Sequence, residues 1–283
     1  MMQHSDAVVD ALLSARMLII SPHMDDEILG CGGVMSLHTD KRLLYCMFVT
    51  DGAKSPLPLL PWQGRPDTKL PKIREREARH ALGEIGLPEN NLTFLGLSDN
   101  GLAWQHQDLM RRLEVEICRI RPTLILVPFR YDQHPDHVAV HRAVRELIRQ
   151  GRIKAQVLEY FVYIRWRLIP GRDIRVMVSA QRLVQVDIAS VSEQKRNALG
   201  EYRSQTSIMY PWQESPILTD ESIRWRCSEP EYFLVSEPGE PLLACFTAKR
   251  YRILCAHYAE RFGKRRKDQV IALVRWLLRR SPG

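Results

Sequence analysis

The feature that most restricts the fold is a set of short, wholly apolar runs separated by stretches of helical spacing. Met17-Leu18-Ile19-Ile20 offers no polar side chain to water, as expected of a strand covered on both faces in a parallel sheet. Leu43–Thr50, Leu92–Leu95 and Thr123–Val127 read as further strands. Between them, Lys72–Ile85 has helical spacing and stops at Gly86, and Leu109–Ile120 reads as another helix. His134–Arg149 is expected to be helical and is ended by Gly151. This alternation predicts an α/β fold, a Rossmann-like, mostly parallel sheet with flanking helices. After about residue 155 the pattern changes. Val157–Ile164, Arg175–Val178 and Leu183–Asp187 look like strands, open to antiparallel pairing, ahead of a helix over Ser192–Tyr202. A smaller β-containing part is therefore expected to follow the parallel sheet. Residues 53–70, rich in proline and polar residues, read as a long loop.

Two dense clusters of ionisable residues each follow one of these apolar runs, where open α/β sheets place their ligands. The first is His23-Met24-Asp25-Asp26-Glu27 and the second His134-Pro135-Asp136-His137. His23 and Asp26 stand three residues apart and can face one point across a turn entering a helix. An imidazole nitrogen with a carboxylate oxygen suits zinc or a similar divalent ion, and a catalytic site keeps a position open for water. Asp25 is then free to act as a base. Pro135 fits the first helical position, which puts His134 at the cap and His137 in the first turn. His137 can join the metal ligands, while His134 donates a proton or steadies an oxyanion and Asp136 orients it. The plainer readings are helix-dipole acids at Asp25 and Asp26, packing glycines at Gly30, Gly32 and Gly33, and a simple cap at His134. His137 and His141 have the spacing of a zinc-protease helix, but Val138 stands where that motif needs glutamate. His141 is accordingly read as supporting structure.

The two clusters resemble the signature pair of the LmbE/PIG-L family of metal-dependent N-deacetylases, usually His-Pro-Asp-Asp-Glu and His-Pro-Asp-His. Met24 replaces the proline of the first, and the second is matched in full. The glycines at 30–33, Thr50-Asp51-Gly52, Arg74–Glu77, Leu95-Gly96 ahead of Asp99, and Lys195 ahead of Tyr202-Arg203-Ser204-Gln205 also fit, over roughly residues 15–205. The resemblance implies that His23, Asp26 and His137 bind Zn2+, with Fe2+ or another divalent ion as the alternative. It implies Asp25 as the general base, His134 as oxyanion stabiliser or proton donor, and Asp136 as the residue tuning His134. Arg74 and Asp99 stand where some members contact the sugar. Some members also use a tyrosine two residues before the second motif; here Asp132 stands there, with Tyr131 one step away. The expected organisation is a catalytic domain over 1–205 and an extension over 206–283 packed on it as one structural unit.

The charge of +8 sits in the tail. Residues 261–283 hold eight Lys/Arg and one acid, so the rest of the chain is close to neutral. A body without a broad basic face argues against nucleic acid as a partner. Asp268–Arg280 has the pattern of a basic amphipathic helix, expected to dock on the core or, through residues 261–280, to touch an anionic membrane as a peripheral contact. The apolar runs are too short to span a bilayer, and Met1–Asp6 lacks the basic start and apolar stretch of a signal peptide. The expectation is a cytoplasmic protein, with membrane association as the variant. Six cysteines without a CxxC pair give no zinc ribbon or disulfide framework, and most read as buried thiols; Cys31 is the one close to the proposed site. The expected partner is an N-acetylated aminosugar or glycoconjugate. The alternatives are an amidase acting on a non-sugar N-acyl conjugate and a non-catalytic binding module of the same fold.

Overall fold

The computed structural model describes residues 6–58, 66–132, 134–162 and 183–236. The wholly apolar run becomes β1 (Met17–Ser21), buried along its whole length. It pairs in parallel with β2 (Leu44–Thr50) on one side and β4 (Leu124–Pro128) on the other. β3 (Leu92–Leu97) adds in parallel to β2, and β5 (Gln156–Tyr160) to β4. Two antiparallel strands, β6 (Leu183–Val186) and β7 (Glu231–Val235), complete a seven-stranded sheet of order β3-β2-β1-β4-β5-β7-β6.

Alternation along β1 explains the helices on both faces. Met17 and Ile19 pack with α2 (Asp26–Leu37), α3 (Leu70–Ile85) and α6 (Ser192–Glu201), together with Leu12 of α1 (Asp6–Ser14). Leu18 and Ile20 pack with α4 (His106–Ile120) and α5 (Pro135–Arg149). A buried Leu or Ile contributes roughly 1.5–3 kcal/mol, so neither face can be left open.

Several sequence expectations shift. The strand expected at Val157–Ile164 is β5, parallel to β4; antiparallel pairing enters only with β7. β7 was not expected, and it brings a segment from beyond residue 205 between β5 and β6. α3 starts at Leu70 rather than Lys72, with Pro71 in its first turn. The expected strand Arg175–Val178, the amphipathic segment within 261–280, Cys245 and Cys255 lie outside the described residues. No helix among the described residues is long and apolar enough to cross a membrane.

Strand order reverses between β1 and β4. The chain passes from β1 outward to β2 on one side and later returns to β4 on the other, which opens a crevice at the carboxyl ends of those two strands. Both histidine-bearing motifs begin there, one after Ser21 and the other after Pro128. α2 can lie close to the sheet because Gly30 faces the ring of Tyr160, whose hydroxyl donates to Ile20 O at 2.9 Å. A buried pair fixes the far side of the same helix. Lys195 Nζ meets Glu231 Oε1 at 2.6 Å, and the Glu231 carboxylate accepts from the N–H groups of Gly33 and Val34.

A Cβ at residue 30 would run into the Tyr160 ring. Overpacking of that kind costs about 1–3 kcal/mol, more than the ~1 kcal/mol at most that alanine gains over glycine in a helix. Gly30→Ala is therefore expected to lower the urea midpoint at unchanged slope. A higher midpoint would mean that the ring yields without cost.

Candidate metal centre

β1 ends at Ser21, and the following turn presents His23 at the crevice. Its Nδ1 lies 3.1 Å from Asp26 Oδ2 and 3.3 Å from His137 Nε2, and His137 Nε2 lies 3.0 Å from the same Asp26 oxygen. The three donor atoms thus form a nearly equilateral triangle. Four ligands at ~2.0–2.2 Å around tetrahedral zinc are roughly 3.3–3.6 Å apart, so the triangle is close to one face of such a site. All three residues are buried, and two imidazoles with one carboxylate are a donor set suited to zinc or a related divalent ion. Two further groupings share His23: one with His134 and His137, the other with Asp99 and Asp136.

The electrostatics of the cluster also favour a cation. Burial works against protonating His23, yet the carboxylates of Asp136, Asp26 and Asp99 outweigh it and hold its pKa well above the usual value. His137 is likewise disfavoured by burial but lifted to about 9 by Asp26 and Asp132. Asp26 is held well below the carboxylate range, its burial overcome by the two histidines. The carboxylates call for positive charge, and a divalent ion would take the place of the two ring protons.

Around the triangle, each ring has its outer nitrogen backed by acid. Asp132 Oδ2 lies 3.4 Å from His137 Nδ1, and Asp99 Oδ1 and Asp136 Oδ2 each lie 3.3 Å from His23 Nε2. Such carboxylate–histidine contacts fix the tautomer and the ring plane of a metal ligand. Asp136 also accepts from the N–H groups of Asn100 and Leu102, at 2.7 and 3.1 Å, and so holds the turn that carries Asp99. The expected tuning of His134 by Asp136 takes a different form. The Asp136 carboxylate reaches His23, and His134 is met by the Asp136 backbone N–H, which donates to Nδ1 at 3.2 Å. His134 is thus a helix cap and a site residue at once, its ring 4.4 Å from that of His23 between centroids. With Nδ1 accepting, the neutral ring carries its proton on Nε2. Burial, with His23 and His137 nearby, pushes its pKa down to about 4.

Asp25 stands at the cap position of α2 but makes no side-chain cap bond. Its φ of 143° is rare for a residue with a side chain, and strain of that order, about 1–3 kcal/mol, is typical of functional sites. Burial raises its carboxyl to about 6 against the pull of Arg74. Arg74, expected as a sugar contact, is only 1% exposed. Its guanidinium lies against Met24 O at 2.5 Å, Gly52 O at 3.3 Å and Asp25 Oδ1 at 3.3 Å, which gives it a positioning role. Cys31 is fully buried, and burial pushes its thiol pKa up, so it is inert packing. His141 lies 3.2 Å from Glu159 Oε1, a carboxylate also held by Arg130. Sequence reasoning missed Asp132 as a partner of His137. The one signal available was an acid just past the end of a buried strand, facing the crevice.

Residues 18–148 match the family model described as PIG-L: GlcNAc-PI de-N-acetylase. The resemblance carried by the two motifs is borne out by that match over residues 18–148. Among relatives, the probable N-acetyl-alpha-D-glucosaminyl L-malate deacetylase 2 of Bacillus cereus is 28% identical over 208 residues, 70% of this chain and 86% of that protein. The protein of the same name from Bacillus subtilis is 27% identical, with 78% of this chain and 97% of that protein covered. The solved structure of the antimicrobial reagent A40926 pseudoaglycone deacetylase Dbv21 superimposes with a TM-score of 0.56 at 21% identity, covering 80% of this chain and 98% of that one. At that identity the structural likeness speaks for the fold alone.

Removing the carboxylate behind a ligating histidine typically weakens metal binding by about 10–100-fold. Asp132→Asn is expected to do so without unfolding the protein, as read by chelator competition alongside circular dichroism. Unchanged affinity would remove Asp132 from the site.

Proposed function

We propose that this protein is a metal-dependent hydrolase that removes an N-acetyl group from an aminosugar-containing substrate. One observation carries the reading: the triangle of His23 Nδ1, Asp26 Oδ2 and His137 Nε2, with the buried, strained Asp25 beside it. The PIG-L match over 18–148 and the deacetylase names of the two Bacillus relatives support N-acetyl sugars as the substrate class. We assign Zn2+ to the site, held by His23, Asp26 and His137, with Fe2+ as the alternative. When bound, such an ion supplies Lewis acidity to an amide carbonyl and to water.

The chain's own groups then divide the work. Asp25, in its ionised form, takes a proton from the attacking water and can return it to the departing amine. His134, neutral with its proton on Nε2, donates a hydrogen bond to the developing oxyanion; this is the choice its Nδ1 contact favours over acting as a proton donor. Asp99 and Asp136 hold His23, Asp132 holds His137, and Arg74 holds Asp25. Asp99 remains within reach of a sugar hydroxyl at the same crevice. We further propose that residues 206–236 belong to one unit with the sheet that precedes them, since β7 lies between β5 and β6.

A panel of N-acetylated sugars and glycoconjugates, with simple N-acyl amines beside them, tests the reading through acetate release. Asp25→Asn is expected to keep its metal and lose roughly 10²–10⁴ of turnover, the usual contribution of a general base. Full activity in that variant would refute the assignment, and release from simple amides alone would point to a non-sugar amidase. The pH dependence has a definite sign. Asp25 must be ionised, so kcat/KM is expected to fall as pH drops through about 6, displaced lower by the nearby cation. A profile flat down to pH 4, well below that value, would exclude Asp25 as the base.

A further inference from the structure

The Met24–Asp25 peptide is held at both ends by buried side chains of opposite polarity. Its carbonyl accepts from Arg74 Nη2 at 2.5 Å, and its N–H donates to Glu27 Oε2 at 3.1 Å. That plane sets φ of Asp25, which stands at 143°. A half-turn of the plane would bring φ into the ordinary negative range. It would also turn the carbonyl away from the Arg74 guanidinium and the N–H toward it, so the Arg74 contact would turn from attractive to repulsive and Glu27 Oε2 would lose its backbone donor. Arg74 is 1% exposed and Glu27 fully buried, so neither interaction is much weakened by solvent.

Glu27 is itself fixed from two sides. Tyr202, fully buried just past the end of α6, donates its hydroxyl to Glu27 Oε1, and the Asp25 N–H donates to Oε2. Glu27 is neither among the donors of the triangle nor exposed to substrate. We infer that Glu27, keyed by Tyr202, is a positioning residue: with Arg74 it clamps the Met24–Asp25 peptide and thereby aims the Asp25 carboxylate. The inference rests on the deacetylase reading in which Asp25 is the base. It ties the aim of that base to a tyrosine more than 170 residues away in sequence.

The test compares Glu27→Leu, which removes the acceptor at similar volume, with Glu27→Gln, which keeps one acceptor oxygen for the Asp25 N–H. Crystal structures and steady-state kinetics are measured on the zinc-loaded full chain, with bound metal counted. In Glu27→Leu the Met24–Asp25 peptide is expected to turn and φ of Asp25 to become negative. kcat should fall about 10²-fold, the scale of a 1 Å misplacement, with KM within about twofold and one metal retained. Glu27→Gln should keep the peptide orientation and recover most of kcat. Leucine at 27 leaves the Tyr202 hydroxyl without its acceptor, a cost to folding. The double variant Glu27→Leu/Tyr202→Phe removes that orphan and makes the same prediction. An Asp25 φ unchanged from wild type overturns the inference, as does loss of metal in place of loss of kcat. If the wild-type protein releases no acetate from any substrate, the functional reading fails, while the crystallographic arm still decides the clamp.

Discussion

The site depends on the parallel pairing of β1 with β4. Met17 lies opposite Leu124 and Ile19 opposite Leu126, and this register brings the chain just past residue 21 beside the chain just past residue 128. Neither motif forms the triangle of donor atoms alone. His23 and Asp26 supply two corners of the triangle and His137 the third, so the centre exists only as long as the two strands are neighbours. Apolar side chains on both faces hold them there, and the reversal of strand order at that point keeps the crevice open above them.

Once the rings and carboxylates converge, electrostatics governs the rest. Asp25, Asp26, Asp99, Asp132 and Asp136 are all buried near two histidines. Concentrated charge of this kind is costly unless paired, and the pairing is systematic. Asp132 backs His137, Asp99 and Asp136 back His23, Arg74 answers Asp25, and the Asp136 carboxylate also takes two backbone N–H groups. The arrangement holds the two rings in one orientation, and burial raises the Asp25 carboxyl to about 6 while Asp26, Asp99 and Asp136 are held below the usual carboxylate value by the histidines. That is the property a base near neutral pH requires.

How much of this was legible in sequence follows from how far each effect reaches. β1, β2 and β4 were readable because a strand buried on both faces has few polar residues to confuse the pattern. The motif residues were readable because their spacing is local: three residues separate His23 from Asp26 and His134 from His137. What was not readable acts across the chain. Nothing near Glu231 announced that β7 would enter the sheet between β5 and β6, because its partners are set by tertiary contact. Asp132 looked like the loss of a tyrosine and is instead the backing of His137. Arg74 stood where some family members contact the sugar, whereas here its helix position turns it inward onto Met24 O.

Arg74 also shows why resemblance and geometry give different answers about a residue. A motif records that a position carries a given side chain, but it does not record which way the backbone beneath it faces. Here the α3 start places the guanidinium under the turn after β1, where three backbone carbonyls and one carboxylate meet it. A cation so enclosed cannot leave to bind a ligand without stranding those acceptors in a buried setting. Its charge is therefore committed to the shape of the turn, and the strained conformation of Asp25 is what that commitment sustains.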